Sequence, residues 1–355
     1  MTRVNLLKTN FTAGEVSPLL FGRGDLCAYE NGAATLRNVF IHPTGGVYRR
    51  PGLRYVATAR GRGRLVSFEF NTEQTYLLAF SDQMLDVYQG GVLTASVATP
   101  WTEAQLPQIA WTQSADTLLV THPEVEARRI TRAGLGSWTV DTWPFAKSGS
   151  LRQYPFYKFA DTAVALTPSA TTGAITLNAS ADVFDASHAG QNWRVAGKQV
   201  QITAVTSSTT ADATVLEDLP GIEPTPDFEE PAFSALRGWP VTVAFHQDRL
   251  VIGGSRDLPN RLWLSKAGDL FNFDLGEGLD DEAIEFPILS DQVNAIRGVF
   301  SGRHLQVFTS GAEWMVTGDP LTPTSVQARR QTRIGSVVDR YVPPKNVDGA
   351  TLFVG

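Results

Sequence analysis

The sequence predicts an all-β protein: a β-propeller, incomplete in this chain, with an inserted small β-barrel domain and an extended N-terminal arm. Three observations carry that expectation. The first is a recurring phrase, a polar turn followed by Leu and a β-branched or aromatic run. The second is a composition with 31 glycines and 20 prolines, which favours many short strands joined by turns. The third is a cluster of short alternating segments, separated by Gly, Ser and Thr, that interrupts the recurrence once.

The phrase is clearest between Gly238 and Gly318. Val241, Val243 and Phe245 alternate with smaller or polar residues as in a half-buried strand. Gln247-Asp248 makes a turn into Leu250-Val251-Ile252, then come Leu262-Trp263-Leu264 and, as a fourth segment, Phe271-Asn272-Phe273. The pattern returns as Ile296 to Phe300, Leu305 to Phe308 and Glu313 to Val316. Other copies are Gln74 to Phe80, Ala115 to Val120 and Gly349 to Val354, which makes the anchors Leu77, Leu118, Leu250, Leu305 and Leu352. Successive anchors are 41, 132, 55 and 47 residues apart. A period of roughly 40–50 residues with about four strands per unit is the signature of propeller blades. The long gap then holds about one normal period and an insertion of about 90 residues.

In chain order, residues 1–58 form the arm and docking segment, 59–147 the first blades, 148–238 the inserted barrel and its linker, and 239–355 further blades. Phe11 to Pro18 reads as extended and turn-rich, and Leu26 to Asn38 as a short helix with Ala33, Leu36 and Val39 at helical spacing. Gly45-Gly46 and Pro51-Gly52 are turn signals bracketing Val47 to Arg50. An arm with scattered Phe and Leu but no core of its own must dock, either on its own propeller or on a neighbouring subunit. Trp101, Trp111, Trp138 and Trp143 fill space between blades rather than forming a carbohydrate platform. In the insertion, the strands are Ala163 to Leu166, Ala174 to Leu177, Trp193 to Val195, Val200 to Ile202 and Ala213 to Leu216. A Pro- and acid-rich linker from Pro220 to Pro231 returns the chain to the propeller. The last phrase stops at Gly355, one strand into its blade. A propeller closes to protect its sheet edges, so the chain is expected to be the N-terminal portion of a longer protein, or its remainder disordered.

Charged residues make up 19% and the net charge is −6, which argues against a general nucleic-acid binder. Cys27 is the single cysteine; with no disulfide framework or cysteine metal site, it is expected as a small buried side chain. The N-terminus lacks the apolar core of a signal peptide, and no stretch approaches the length of a membrane span. The chain is therefore expected to be made in a cytoplasm.

Catalytic chemistry finds no foothold in the sequence. There is no Gly-x-Ser-x-Gly elbow, no Walker loop, no His-Glu-x-x-His and no Asp-box turn. His42, His122, His188, His246 and His304 are scattered singly; three of them (His122, His246 and His304) lie near blade turns as polar rim residues. Asp274, Glu277, Asp280, Asp281 and Glu282 gather oxygens in one loop, but without EF-hand spacing, and read as a solvated acidic loop rather than a calcium site. The opposite charge gathers at Arg49, Arg50, Arg54, Arg60, Arg62 and Arg64. These either stand in solvent at strand ends or grip phosphate or an acidic partner surface. Arg23-Gly24-Asp25 matches an integrin-binding tripeptide by coincidence.

Several phrases resemble those of a known family. Phe11 to Pro18, then Gly32 through Asn38, then Gly45 through Gly52, resemble the opening of the nozzle proteins of short-tailed bacteriophages (tail tubular protein B, or tail stabilisation protein). Trp111 to Asp116 with His122-Pro123 is similar to a second block. Arg249-Leu250, Gly253 to Ser255, Trp263 with Ser265, Asn272-Phe273 and Leu321 to Pro323 resemble a third. Gly190 through Thr203 resembles a small barrel module of such proteins, a likeness of fold that brings no ligase chemistry. The resemblance implies a structural, non-enzymatic component of the virion tail, without a cofactor. It implies a cyclic homo-oligomer, typically a hexamer, beneath an adaptor protein, with tail fibres or spikes attached and genomic DNA passing through. The candidate interface residues are Phe11, Glu15, Arg23, Arg49, Arg50, Arg54, Arg60, Arg62 and Arg64. An acidic net charge suits a conduit along which DNA slides. Two other readings stay open: a receptor- or glycan-binding propeller scaffold, and a propeller hydrolase with its active residues in further blades.

Overall fold

The computed structural model describes residues 8–134, 136–290 and 294–355. The chain divides into two compact units, Met1–Ala57 and Thr58–Gly355.

The first unit is built from very short elements. Gly14–Glu15 pairs in parallel with Gly32–Ala33, and Val39–Ile41 forms a hairpin with Val47–Arg49. Val16 is its buried hydrophobic side chain among the described residues. Gly32 is required beside it, because a Cβ there would meet the Val16 Cγ1 at 2.3 Å. The helix expected over Leu26 to Asn38 is one turn, Cys27–Glu30, with no side-chain cap. Gly32 and the β-branched Val39 are poor helix formers, and both are taken by strands instead. Cys27 is exposed rather than buried, since this unit has almost no interior to receive it. Leu19 and Leu53 stand 91% and 90% exposed, so the unit holds no core that could cover them.

Among its described residues the second unit contains four antiparallel sheets of four strands, each a simple meander. Blade 1 comprises Arg64–Glu69, Thr75–Ser81, Met84–Gln89 and Val92–Ala98; blade 2 comprises Ala110–Ser114, Thr117–His122, Val125–Arg132 and Trp138–Thr142. Blade 3 comprises Thr242–His246, Arg249–Gly253, Arg261–Leu264 and Ile284–Pro287; blade 4 comprises Ile296–Ser301, Leu305–Thr309, Glu313–Thr317 and Gln327–Thr332. A further hairpin, Lys345–Val347 with Ala350–Leu352, follows. All five Leu-led phrases fall on the second strand of a sheet or hairpin.

The sheets are arranged radially. The first strand of blade 3 lies against the first strands of blades 2 and 4, and the Val299 N–H donates to the Thr242 hydroxyl at 3.1 Å. That position explains a difference from expectation. Residues 242–246 are buried on both faces except at Phe245, not half-buried, because an inner strand has a neighbouring blade on each side. The blades are glued by the tryptophans. Trp101 and Trp138 join Phe68, Phe80, Leu118 and Ile130 in the core between blades 1 and 2, with Trp138 edge-on to Phe68 at 5.0 Å. Truncating a side chain as large and buried as Trp101 costs about 3–5 kcal/mol. The fourth strand of blade 3 is Ile284–Pro287, not Phe271 to Phe273. Phe271 and Phe273 are instead aromatic plugs beside Trp143 and Phe145.

The interruption sits between blades 2 and 3. Seven strands form one sheet in the spatial order 156–157, 228–231, 192–195, 198–207, 210–215, 174–179 and 166–168. It curls until Leu166, on its last strand, bridges Thr225, with reciprocal backbone hydrogen bonds of 2.8 Å. Trp193, Phe184 and Phe228 fill the barrel, the rings of Trp193 and Phe228 lying parallel. Part of the segment expected as a linker, Phe228–Pro231, is thus a strand of the barrel. Its alternating Phe228 and Glu230 face the interior, and Glu230 is neutralised there by Arg237 at 2.6 Å. Among the described residues no helix is long and apolar enough to cross a membrane.

Candidate functional site: hub cavity and junction cleft

Most of the sequence-selected residues are occupied locally. In the first unit, the Phe11 N–H donates to the Gly45 carbonyl at 2.8 Å, and Glu15 accepts from the Leu36 N–H at 3.0 Å. Arg23 pairs with Asp25 at 2.6 Å, so the tripeptide closes on itself and the guanidinium holds the Asp25 carboxyl below its usual range. Arg50 donates to the Asn38 side chain at 2.8 Å and to the Pro51 carbonyl at 3.1 Å. Arg49 and Arg54 are exposed. In the second unit, Arg60 forks onto Asp86 at 2.7 and 3.0 Å, and Arg62 is exposed.

Arg64 behaves differently. It opens the first strand of blade 1, and its guanidinium donates to the carbonyls of Leu106, Pro107 and Tyr341. It also lies 4.6 Å from the Trp111 ring centroid. Burial lowers it to about 10, so it stays protonated at neutral pH. Tyr341 completes the cluster: its N–H donates to Pro107 at 2.9 Å, its ring meets Trp111 edge-on, and burial pushes its hydroxyl up to about 12. Arg64 is a structural hub residue, not a solvated strand end.

Beside this cluster is a hub cavity of about 360 Å³. Glu124 from blade 2, Arg256 after the second strand of blade 3, Arg297 on the first strand of blade 4, and Asp339 and Arg340 beyond blade 4 all line it. Sequence reasoning missed these three arginines. They are 41 and 43 residues apart, and only the radial stacking of blades brings them to one wall.

A second cleft, of about 520 Å³, lies where the barrel meets the propeller. Trp143, Phe145, Tyr154, Phe233 and Trp239 line it together with Gln191. The junction is positioned by backbone bonds from Ala146 to Phe271 at 3.0 Å and from Phe273 to Gln153 at 2.8 Å, and by an Arg194–Asp274 pair at 2.9 Å. The Tyr154 hydroxyl accepts from the Asn192 N–H and donates to its carbonyl; burial pushes it up to about 12. The Gln191 Oε1 is buried with no hydrogen-bond partner among the described residues.

The acidic loop is internally committed. Asp274 is engaged by Arg194, and the Glu282 carboxylate accepts from the N–H groups of Glu277 and Leu279 at 2.7 and 2.8 Å. Arg249, 2% exposed, donates to the carbonyls of Ser265, Asp280 and Glu282 and clamps the loop from beneath. Among the described residues no group of three His, Cys, Asp or Glu side chains is placed to hold a metal ion. Two expected rim histidines are buried, His122 at 1% and His246 at 6% exposure. Burial lowers His122 to about 4, and burial with neighbouring His304 lowers His246. His304, the remaining expected rim histidine, is half-buried; His188 is fully buried, with Nε2 3.2 Å from Glu230 but out of line for a hydrogen bond. Its Nδ1 accepts from the Asp185 N–H at 3.1 Å. His246 Nδ1 shares a hydrogen bond of 2.9 Å with the Ser301 hydroxyl.

Four meander blades around a hub, broken once by a barrel, define a β-propeller with an inserted domain. No family model matches the chain, and no curated protein matches it. Among solved structures, it is similar to Sqt1 of Saccharomyces cerevisiae, with 11% identity, a TM-score of 0.25, and coverage of 79% of this chain and 78% of that one. It is also similar to the N-terminal domain of Nup159, with 10% identity, a TM-score of 0.20, and coverage of 79% and 57%. Superpositions this loose carry no functional argument.

Proposed function

We propose that the chain is a structural component of a bacteriophage short tail, a nozzle subunit that assembles into a ring and extends the DNA-ejection channel below an adaptor protein. The observation that carries this reading is the succession of nozzle-like phrases, from Phe11 to Pro18 through Leu321 to Pro323, spread over most of the chain. The surface is compatible with assembly. Blade 1 leaves Leu65 and Val92 each 65% exposed, and Leu352 on the last hairpin is 59% exposed. Apolar side chains at both ends of a blade series suit head-to-tail subunit contacts that close a ring. Electron microscopy of the purified protein tests this. Rings of fixed subunit number with a central hole are expected, and a monodisperse monomer at micromolar concentration would count against it.

The junction cleft favours a second reading, a receptor- or glycan-binding scaffold of the tail. Its aromatic walls and the unpartnered Gln191 oxygen match the mixture of apolar surface and few polar groups found in ligand sites. Glycan-array binding by the monomer, lost on Trp239→Ala, is the outcome that reading requires.

A further inference from the structure

We propose that the hub cavity is a binding site for an oxyanion, the phosphate or carboxylate group of a small ligand, gripped by Arg256, Arg297 and Arg340. Arg256, Arg297 and Arg340, from three separate segments, line one cavity of about 360 Å³; Arg256 and Arg340 are exposed and Arg297 is half-buried. Like charges brought together in a partly enclosed space repel, and the arrangement is favourable only when a counter-charge sits among them. The protein supplies too little of it. Glu124 and Asp339 on the same wall are exposed, and Arg256 has Asp257 at 2.8 Å. Arg297 has no carboxylate partner among the described residues. Its Nε is buried with no acceptor among the described residues, so the protein itself leaves this guanidinium unsatisfied.

The wall around the arginines strengthens the case. Arg64, immobilised by three carbonyls, feels the positive field of Arg340, which adds to the effect of burial. The site therefore carries a surplus of positive charge in a protein whose net charge is −6. Gln108 and Ser255 also line the cavity and contribute neutral polar groups at its edge. Guanidinium forks match the planar or tetrahedral oxygens of carboxylate and phosphate, which is why arginine suits such sites. The volume lies within the usual range for small-ligand pockets, about 300–1,000 Å³. It admits a phosphate ester or a short acid and excludes a nucleic-acid duplex. The inference is independent of the nozzle reading.

The test is calorimetric titration of the full chain with inorganic phosphate and, separately, acetate, against sodium chloride at matched ionic strength. Saturable binding of either anion that chloride does not reproduce is expected. Phosphate alone identifies a phosphate-ester site, and acetate alone a carboxylate site. Arg297→Gln is expected to weaken that binding at least tenfold. Arg340→Gln, on an exposed segment, provides a second variant that folding cannot confound. It is expected to weaken binding similarly while leaving the melting temperature in anion-free buffer unchanged or raised, because it relieves repulsion. No saturable binding of either anion, or equal binding by wild type and both variants, would overturn the proposal.

Discussion

Arg64 and Tyr341 are 277 residues apart in sequence, yet the guanidinium of the first donates to the backbone carbonyl of the second. This bond ties the opening strand of blade 1 to the segment that follows blade 4. With the Pro107 carbonyl accepting from both Arg64 and the Tyr341 N–H, it locks the hub.

Replacing Arg64 by lysine tests that lock. A single ammonium cannot reach three carbonyls in two directions or keep the planar stack on Trp111. Arg64→Lys is expected to cost about 2–3 kcal/mol, since buried charged hydrogen bonds are worth about 1.5–3 kcal/mol each and lysine keeps part of them. Urea unfolding followed by tryptophan fluorescence reads the loss; an unchanged midpoint would show that the lock contributes nothing.

The Leu-led phrase makes unequal predictions at two of its copies. Leu250 is fully buried, whereas Leu77 is 40% exposed. Leu250→Ala is expected to cost about 2–5 kcal/mol through the cavity it leaves, and Leu77→Ala no more than about 1 kcal/mol. Chemical denaturation of the two variants side by side decides whether burial or motif membership sets the cost.

Acid lability follows from His122. Its native value of about 4 lies below its ordinary 6.5. As pH falls through 6.5, the unfolded chain binds the proton first, and stability is lost until about pH 4. The full effect is about 3 kcal/mol, and lowered His246 acts in the same direction. His122→Asn keeps an acceptor for the Glu124 N–H, which now bonds His122 Nδ1 at 3.0 Å, but cannot titrate. Between pH 7.5 and 4.5 the variant is expected to lose about 2–3 kcal/mol less than wild type.

Ala115 turns blade 2 with φ of +48°, a region that costs an L-residue about 1–2 kcal/mol. Glycine adopts it freely but loses about 0.5–1 kcal/mol in chain entropy. Ala115→Gly is therefore expected to raise stability by about 0.5–1 kcal/mol, the difference between those two magnitudes. A lowered melting temperature would contradict this balance.

Arg249→Met keeps the apolar stem but leaves the carbonyls of Ser265, Asp280 and Glu282 without their common donor. Loss of at least about 2 kcal/mol is expected. Limited proteolysis should also cut the variant between 274 and 282 at least several-fold faster. Cleavage at the wild-type rate would mean that the Glu282 carboxylate alone organises the loop.

How much was legible in the chain depended on how local the cause was. The phrases at Leu77, Leu118, Leu250, Leu305 and Leu352 all fall on second strands, because polar turns and β-branched runs act within a few residues. The interruption between blades 2 and 3 showed as a break in that spacing. Leu26 to Asn38 misled because a few apolar residues at helical spacing cannot hold a helix without a surface to pack on. Phe271 to Phe273 misled because alternation marks burial and does not specify a pairing partner.

The sequence by itself determined the all-β class, the repeated turn-and-strand unit and the place of the barrel, since each is written in short-range preferences of the backbone. Tertiary structure alone decided that Arg64 is half-buried and bound to three carbonyls, that His122 and His246 are not rim residues, and that Arg256, Arg297 and Arg340 share a cavity. The physical reason is that burial and electrostatic neighbourhood are set by which blades face one another, and radial packing joins residues whose separation along the chain leaves no local trace.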